Sequence, residues 1–310
     1  MRTTTIGLMI VSMLVPVLAL AQAGIEQNTL APWPARVLIT NDDGIDNPRL
    51  HALARGFAKV AETTVVAPVD NRSGSSTIFS VLGRTTIKVQ QRSIGDGIRA
   101  WSVDGYPADC VLLALKGFLK DRPPDLVVSG INDGSNMGFD WVLSGTVGAA
   151  RVAALAGVPS IAVSGLNEKI PGSLEAVADF TVRLARSKIV RSLGPAQYLT
   201  VSVPTIPPTE IRGVRVARRA GLPVGLSFDR SPAEDSTSGQ EAWKPGRPRS
   251  SDPLQPDTDA ALDRQGYVVI VPMRADEVDS DLLRQLNADT AALPAWQSGR
   301  ASAAGDRSGH

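Results

Sequence analysis

Two aspartates, Asp42 and Asp43, stand side by side behind the apolar run Val37–Thr40, in the stretch VLITNDDGID. A strand serving only a core has little reason to end on two adjacent carboxylates. Their like charges repel, so a positive partner is expected between them. Two more polar, glycine-rich stretches have the same placement behind an apolar run: VDNRSGSS after Pro68, which carries Ser73, and GINDGSNMGFD after Ser129, which carries Asn132. Carboxylate, hydroxyl and amide oxygens, with no imidazole or thiolate beside them, make an oxygen-only donor set that suits Mg2+ or Mn2+ better than Zn2+ or Cu2+. Neighbouring strand residues face opposite ways, so both acids reach one ion only where the chain turns; Gly44 permits that turn. A fourth stretch, VLSGTVGAARVAALAG over Val142–Gly157, sets Ser144, Gly145 and Thr146 directly before a helical pattern. Hydroxyls and the free N–H groups of a first helical turn then converge where the helix dipole favours an anion. Each stretch alone is also what a polar turn looks like, and Ser144-Gly145-Thr146 alone could be a plain helix cap. Their shared placement argues for a site, and a cation site beside an anion site is what phosphate chemistry requires.

Other chemistries lack their parts. The two histidines are His51 and the final residue His310, and no G-x-S-x-G elbow exists to serve a Ser-His-Asp hydrolase. There is no G-x-x-x-x-G-K, and the near match to a dinucleotide fingerprint, GDGIRA, lies in a predicted hairpin rather than at a strand-to-helix turn. The single cysteine, Cys110, excludes an internal disulfide and a cysteine-rich metal site, and in ADCVLLALKGFL it reads as a small buried hydrophobe. Lys plus Arg number 32 against 31 Asp plus Glu, with no long run of either sign, so neither a nucleic-acid polymer nor an anionic membrane is the expected partner.

The elements that must position these residues alternate in type. Short β-branched runs at Val37–Thr40, Thr63–Ala67, Leu126–Ser129, Ser160–Ser164, Leu199–Val203 and Tyr267–Val271 are interleaved with helical patterns near Arg49–Val60, Ala108–Leu119, Thr146–Ala156 and Leu174–Ser187. That order predicts an α/β fold with a mostly parallel central sheet covered on both faces. Ligands in such sheets bind at the carboxyl ends of the strands, where the three polar stretches behind Thr40, Pro68 and Ser129 fall. Ser80–Val103 reads as a hairpin around Gly95-Asp96-Gly97. Residues 229–258, rich in Pro, Ser, Gly and charge, read as an extended arm or long loop. Arg2, the apolar run Ile6–Leu20 and Ala21-Gln22-Ala23 have the order of an export signal cleaved after Ala23. The apolar run is shorter than the roughly 20 residues an uncleaved spanning anchor needs. The expected organisation is a signal peptide at 1–23, a lead-in at 24–35, one domain at 36–290 containing the arm, and a flexible tail at 291–310. The mature protein is expected outside the cytoplasm, periplasmic or secreted, with no membrane attachment.

The stretches VLITNDDGID, VVAPVDNRSG, GYPADCV, PDLVVSGINDGSNMG, SGTVGAARVAALAGVPSIAVS and GYVVIVPM run in that order over most of Arg36–Met273. Together they resemble the SurE family, survival-protein nucleotidases that remove phosphate from nucleoside 5′- and 3′-monophosphates. The resemblance implies a Rossmann-like three-layer sandwich and one divalent ion per subunit, Mg2+ or Mn2+, at Asp42, Asp43, Ser73 and Asn132. It further implies phosphate contacts from Asn136, Ser144, Gly145 and Thr146, and homodimers or homotetramers built through the arm at 229–258. Departures from the family pattern are Ser76 and Thr77 where a Ser-His pair is usual, Leu143 where Tyr is usual, Val152 where Glu is usual, and Trp141 where a small or aliphatic residue is more common. None removes an implied metal ligand. The reading is a metal-dependent phosphomonoesterase in which Asp42 orients or deprotonates the attacking water, Asp43 is chiefly a ligand, and Trp141 lines the nucleobase side of the pocket. The alternatives are a broad acid phosphatase or short-chain exopolyphosphatase using the same site, and a metal- and phosphate-binding interaction protein without turnover.

Overall fold

The first strand, β1 (Arg36–Thr40), shows why the sheet lies at the centre: Val37 and Ile39 pack into the cluster on one face, Leu38 into the cluster on the other, and all three are buried. Period-2 alternation with both faces apolar leaves no side for solvent. The computed structural model describes residues 33–80, 83, 86–221, 227–231, 241–246 and 253–288. The expected export signal, nearly all of the lead-in, the tail and much of the arm lie outside these residues.

Beyond β1 the strands are β2 (Glu62–Pro68), β3 (Val89–Arg92), β4 (Ile98–Val103), β5 (Leu126–Asn132), β6 (Ser160–Ser164), β7 (Gln197–Ser202), β8 (Val214–Val216), β9 (Ser227–Ser231), β10 (Ala242–Gly246) and β11 (Val268–Arg274). Nine of them form one sheet in the order β3-β4-β2-β1-β5-β6-β7-β11-β8. From β4 to β7 every pairing is parallel. The last core strand, expected as one more member of the parallel set, runs antiparallel to β7 and carries β8 parallel to itself at the edge. The expected hairpin is β3-β4, and its second strand also joins the main sheet beside β2. In the arm, β9 and β10 form a separate antiparallel hairpin with Phe228 and Trp243 exposed.

Helices α1 (Pro48–Ala58) and α4 (Ser173–Ala185) cover one face; α2 (Pro107–Leu113) and α3 (Gly145–Leu155) cover the other. The helix expected over Ala108–Leu119 changes to π geometry after Leu113, over Ala114–Phe118. Three helices without a sequence counterpart are short or late: α5 (Lys188–Arg191), α6 (Asp259–Arg264) and α7 (Ser280–Ala288). Among the described residues no helix is long and apolar enough to cross a membrane.

The chain leaves β1 to build β2 and β4 on one side and returns to place β5 on the other. Loops behind β1 and β5 therefore diverge, and the crevice between them is where this sheet type takes ligands. At the end of β5 the register with β6 slips between Ser129 and Asn132, and Gly130 fits so closely there that a Cβ would lie 2.4 Å from the Val163 carbonyl oxygen.

Candidate active site

Asn41 sets the turn that presents the acid pair. Its side-chain amide donates to the Gly44 carbonyl at 3.0 Å, and Gly44 takes φ +105°, a region costly for other residues. Asp42 is 2% exposed. Its carboxylate meets the start of α3, where the Thr146 hydroxyl donates to Oδ1 at 2.5 Å. The backbone N–H groups of Thr146 and Gly145 also favour its charged form, while burial, the larger influence, pushes its pKa up. Close approach of the helix requires Gly145: a Cβ there would lie 2.7 Å from the Ser75 hydroxyl and 2.8 Å from the Asp42 Cβ. The anion position foreseen at this helix start thus holds the protein's own carboxylate.

Asp43 lies 3.4 Å, through Oδ1, from the Arg49 guanidinium, and its Oδ2 is buried with no hydrogen-bond partner among the described residues. Burial and then the charge of Asp42 raise its pKa to about 6, against the opposing pull of Arg49. An orphaned carboxylate oxygen is costly unless something positive meets it. The neighbouring donors fit that need. Asn132 commits its amide nitrogen to the Gly134 carbonyl at 2.8 Å, leaving its oxygen as the atom available for a cation. Ser73 is exposed in a turn fixed by Asn71, whose side chain accepts from the Ser73 N–H, and by Arg72, whose N–H donates to the Asp42 carbonyl at 2.6 Å. Among the described residues no three His, Cys, Asp or Glu side chains form a metal-holding group. The donor set here is instead two carboxylates completed by a hydroxyl and an amide, which suits a hard ion that retains water.

The residues named for phosphate all have protein partners. Ser144 caps α3 by accepting from the Val147 N–H at 3.1 Å, which leaves its own proton free to donate. Asn136 donates to the Ser164 hydroxyl at 2.7 Å, and Thr146 is committed to Asp42. Trp141 lies in a short 3-10 turn, Gly138–Val142, with the Arg151 and Arg219 guanidinium carbons 5.9 and 5.8 Å from its ring centre and the Val147, Ala150 and Tyr198 cluster beside it.

Sequence reasoning missed two cations around this site, the buried Arg49 and the half-buried Arg219. Arg219 donates to the Asn136 carbonyl at 2.6 Å, to the Thr200 hydroxyl at 2.6 Å and to Asp259 at 3.0 Å. Asp259 in turn accepts from the backbone N–H groups of Gly138 and Ala220, so the pair clamps the loop that carries Asn136 and Trp141. Arg49, in the first turn of α1, meets Asp43, Asp133 and Glu168. The expectation of something positive beside the acid pair was a usable signal for Arg49; nothing local marks Arg219.

Residues 37–222 match the family described as Survival protein SurE. The chain belongs to the SurE family. It is 37% identical over 250 residues to the 5′-nucleotidase SurE of Desulfatibacillum aliphaticivorans, covering 81% of this chain and 96% of that protein. It is 37% identical over 246 residues to the 5′/3′-nucleotidase SurE of Yersinia pseudotuberculosis serotype O:1b, covering 78% and 90%. The crystal structure of the SurE protein from Aquifex aeolicus superposes with a TM-score of 0.69 at 28% identity, covering 82% of this chain and 98% of that one. SurE proteins use a divalent metal, in keeping with the hard-oxygen donors at the crevice.

Proposed function

We propose that this SurE protein is a metal-dependent phosphomonoesterase that hydrolyses nucleoside 5′- and 3′-monophosphates to nucleoside and phosphate, with one Mg2+ or Mn2+ per subunit held by Asp42, Asp43, Ser73 and Asn132. The observation that carries the reading is the orphaned Oδ2 of Asp43 beside a second buried carboxylate at the sheet's switch point. The names of the SurE relatives from Desulfatibacillum and Yersinia support the substrate class. A bound divalent ion supplies neutralisation of phosphate charge and activation of a water.

The chain's own residues do the rest. Asp42, whose basicity burial raises, orients the attacking water and takes its proton as the P–O ester bond breaks, and that proton then passes through solvent to the departing nucleoside oxygen. The hydroxyl of Thr146 holds that carboxylate in one orientation. The Ser144 proton and the second N–H of the Asn136 amide supply donors for the non-bridging phosphate oxygens, the first-turn N–H groups of α3 being held by Asp42. Arg219 and Asp259 keep the Asn136 loop in place.

The test is phosphate release from a panel of nucleoside monophosphates, sugar phosphates and short polyphosphate, with Mn2+ and with chelator. Turnover of nucleotides that chelator abolishes is expected; a preference for polyphosphate would move the assignment to the exopolyphosphatase reading. We place the mature chain outside the cytoplasm, cleaved after Ala23, on the order of charge, apolar run and small residues at its start. Intact mass of protein from its host checks this, and a cytosolic chain retaining Met1 would overturn it. Assembly as a homodimer or homotetramer through the arm is read by light scattering, with a monomer at micromolar concentration as the contrary result.

A further inference from the structure

We infer that Arg49 is a charge-balancing residue of the site: it weakens the hold on the divalent ion and in exchange keeps the cluster receptive to a phosphate dianion. The inference rests on the metal-dependent phosphomonoesterase reading. Arg49 is 7% exposed and draws on loops behind three strands: Asp43 behind β1 at 3.4 Å, Asp133 behind β5 at 3.2 Å and Glu168 behind β6 at 2.9 Å. Its Nε has no partner among the described residues, so the guanidinium is spent through its two Nη atoms on carboxylates.

Asp42, Asp43, Asp133 and Glu168 against one guanidinium leave this group three charges negative, and a single divalent ion would reduce that to one. Without Arg49 the same ion would leave two negative charges facing an incoming dianion. Arg49 would also oppose an ion directly, because it draws on Asp43, whose Oδ2 has no hydrogen-bond partner among the described residues and would be open to a cation. Charge at this position therefore acts with opposite sign on the two ligands. A residue needed only for packing or for shaping the crevice acts with the same sign on both, since a disordered site binds everything less well.

The experiment compares wild type, Arg49→Gln and Arg49→Lys in two readouts: Mn2+ binding to the metal-free protein by calorimetry, and KM for a nucleoside monophosphate at saturating Mn2+. Arg49→Gln is expected to bind Mn2+ roughly tenfold more tightly, the size expected for one charge acting on a divalent ion in a hydrated site, and to raise KM several-fold. Arg49→Lys keeps the charge and stays near wild type in both. Glu168→Gln, at an exposed side chain that poses no folding risk, tests the same balance from the other side: weaker Mn2+ binding and a lower KM. Arg49→Gln and Glu168→Gln that each shift both ligands in the same direction, or shift neither, overturn the inference. Wild type idle with Mn2+ and nucleotides would instead sink the phosphomonoesterase reading beneath it.

Discussion

Replacing Asp43 by Asn keeps the side-chain shape and removes one of two charges that share a buried site. In the metal-free protein, burial and the Asp42 charge lift the Asp43 pKa from 3.8 to about 6, a destabilisation of roughly 3 kcal/mol once the group is ionised. The sign follows from proton linkage. Between pH 4 and 6 the folded state holds a proton that the unfolded chain has lost, so stability falls as pH rises through that window and stays low above it. The Asn variant has no such term. Arg49 loses one partner but keeps Asp133 and Glu168, so no buried cation is stranded. The net gain at pH 7.5 is about 1 to 3 kcal/mol, or roughly 2 to 10 °C in melting temperature for a domain of this size, shrinking to nothing near pH 4. Metal offsets most or all of that advantage, because Mn2+ at about 100 times its dissociation constant adds roughly 2.7 kcal/mol to wild type and little to the variant. The assay is a set of melting curves at pH 4 and 7.5, with chelator and with Mn2+, beside phosphate release. Hydrolysis is abolished in the variant. Full wild-type activity in chelator, or an undiminished metal shift in Asp43→Asn, would show that the acid pair is not there for an ion.

Thr146→Val removes the hydroxyl that favours the charged form of Asp42, so the acidic limb of the pH–rate profile should move to higher pH; a profile that only scales down leaves Thr146 with a packing role. Arg219→Met strands the buried Asp259 and frees the Asn136 loop, with an expected loss of about 3 to 5 kcal/mol in denaturant melts, whereas breaking an exposed pair such as Arg218–Asp257 should barely move the midpoint. Trp141→Ala compares AMP with p-nitrophenyl phosphate: a loss confined to AMP assigns the ring to the base, and equal losses assign it to its packing between Arg151 and Arg219.

The strands that hold the site were legible because burial on both faces writes itself as an unbroken β-branched run: β1 starts one residue before its predicted beginning, and β6 matches its predicted bounds. Direction is not written that way. The run that became β11 fits a parallel or an antiparallel neighbour equally, and β8, three exposed residues, has no apolar pattern to read. For the site, the acid pair and the helix start could each be found locally, since both are short stretches directly behind or before a periodic element. Their union could not: the Thr146 hydroxyl reaches Asp42 across 104 residues of sequence, Arg49 reaches Glu168 across 119, and Arg219 reaches Asn136 across 83. Reading each stretch alone made the start of α3 an anion site awaiting phosphate, whereas in the folded chain Asp42 already receives that helix's N–H groups. This changes the electrostatics of the acid pair. Asp42 is compensated by the helix and Asp43 only in part by Arg49, so among the described residues the oxygen of the pair left without a hydrogen-bond partner is Asp43 Oδ2, and the need for a cation falls more on Asp43 than on Asp42.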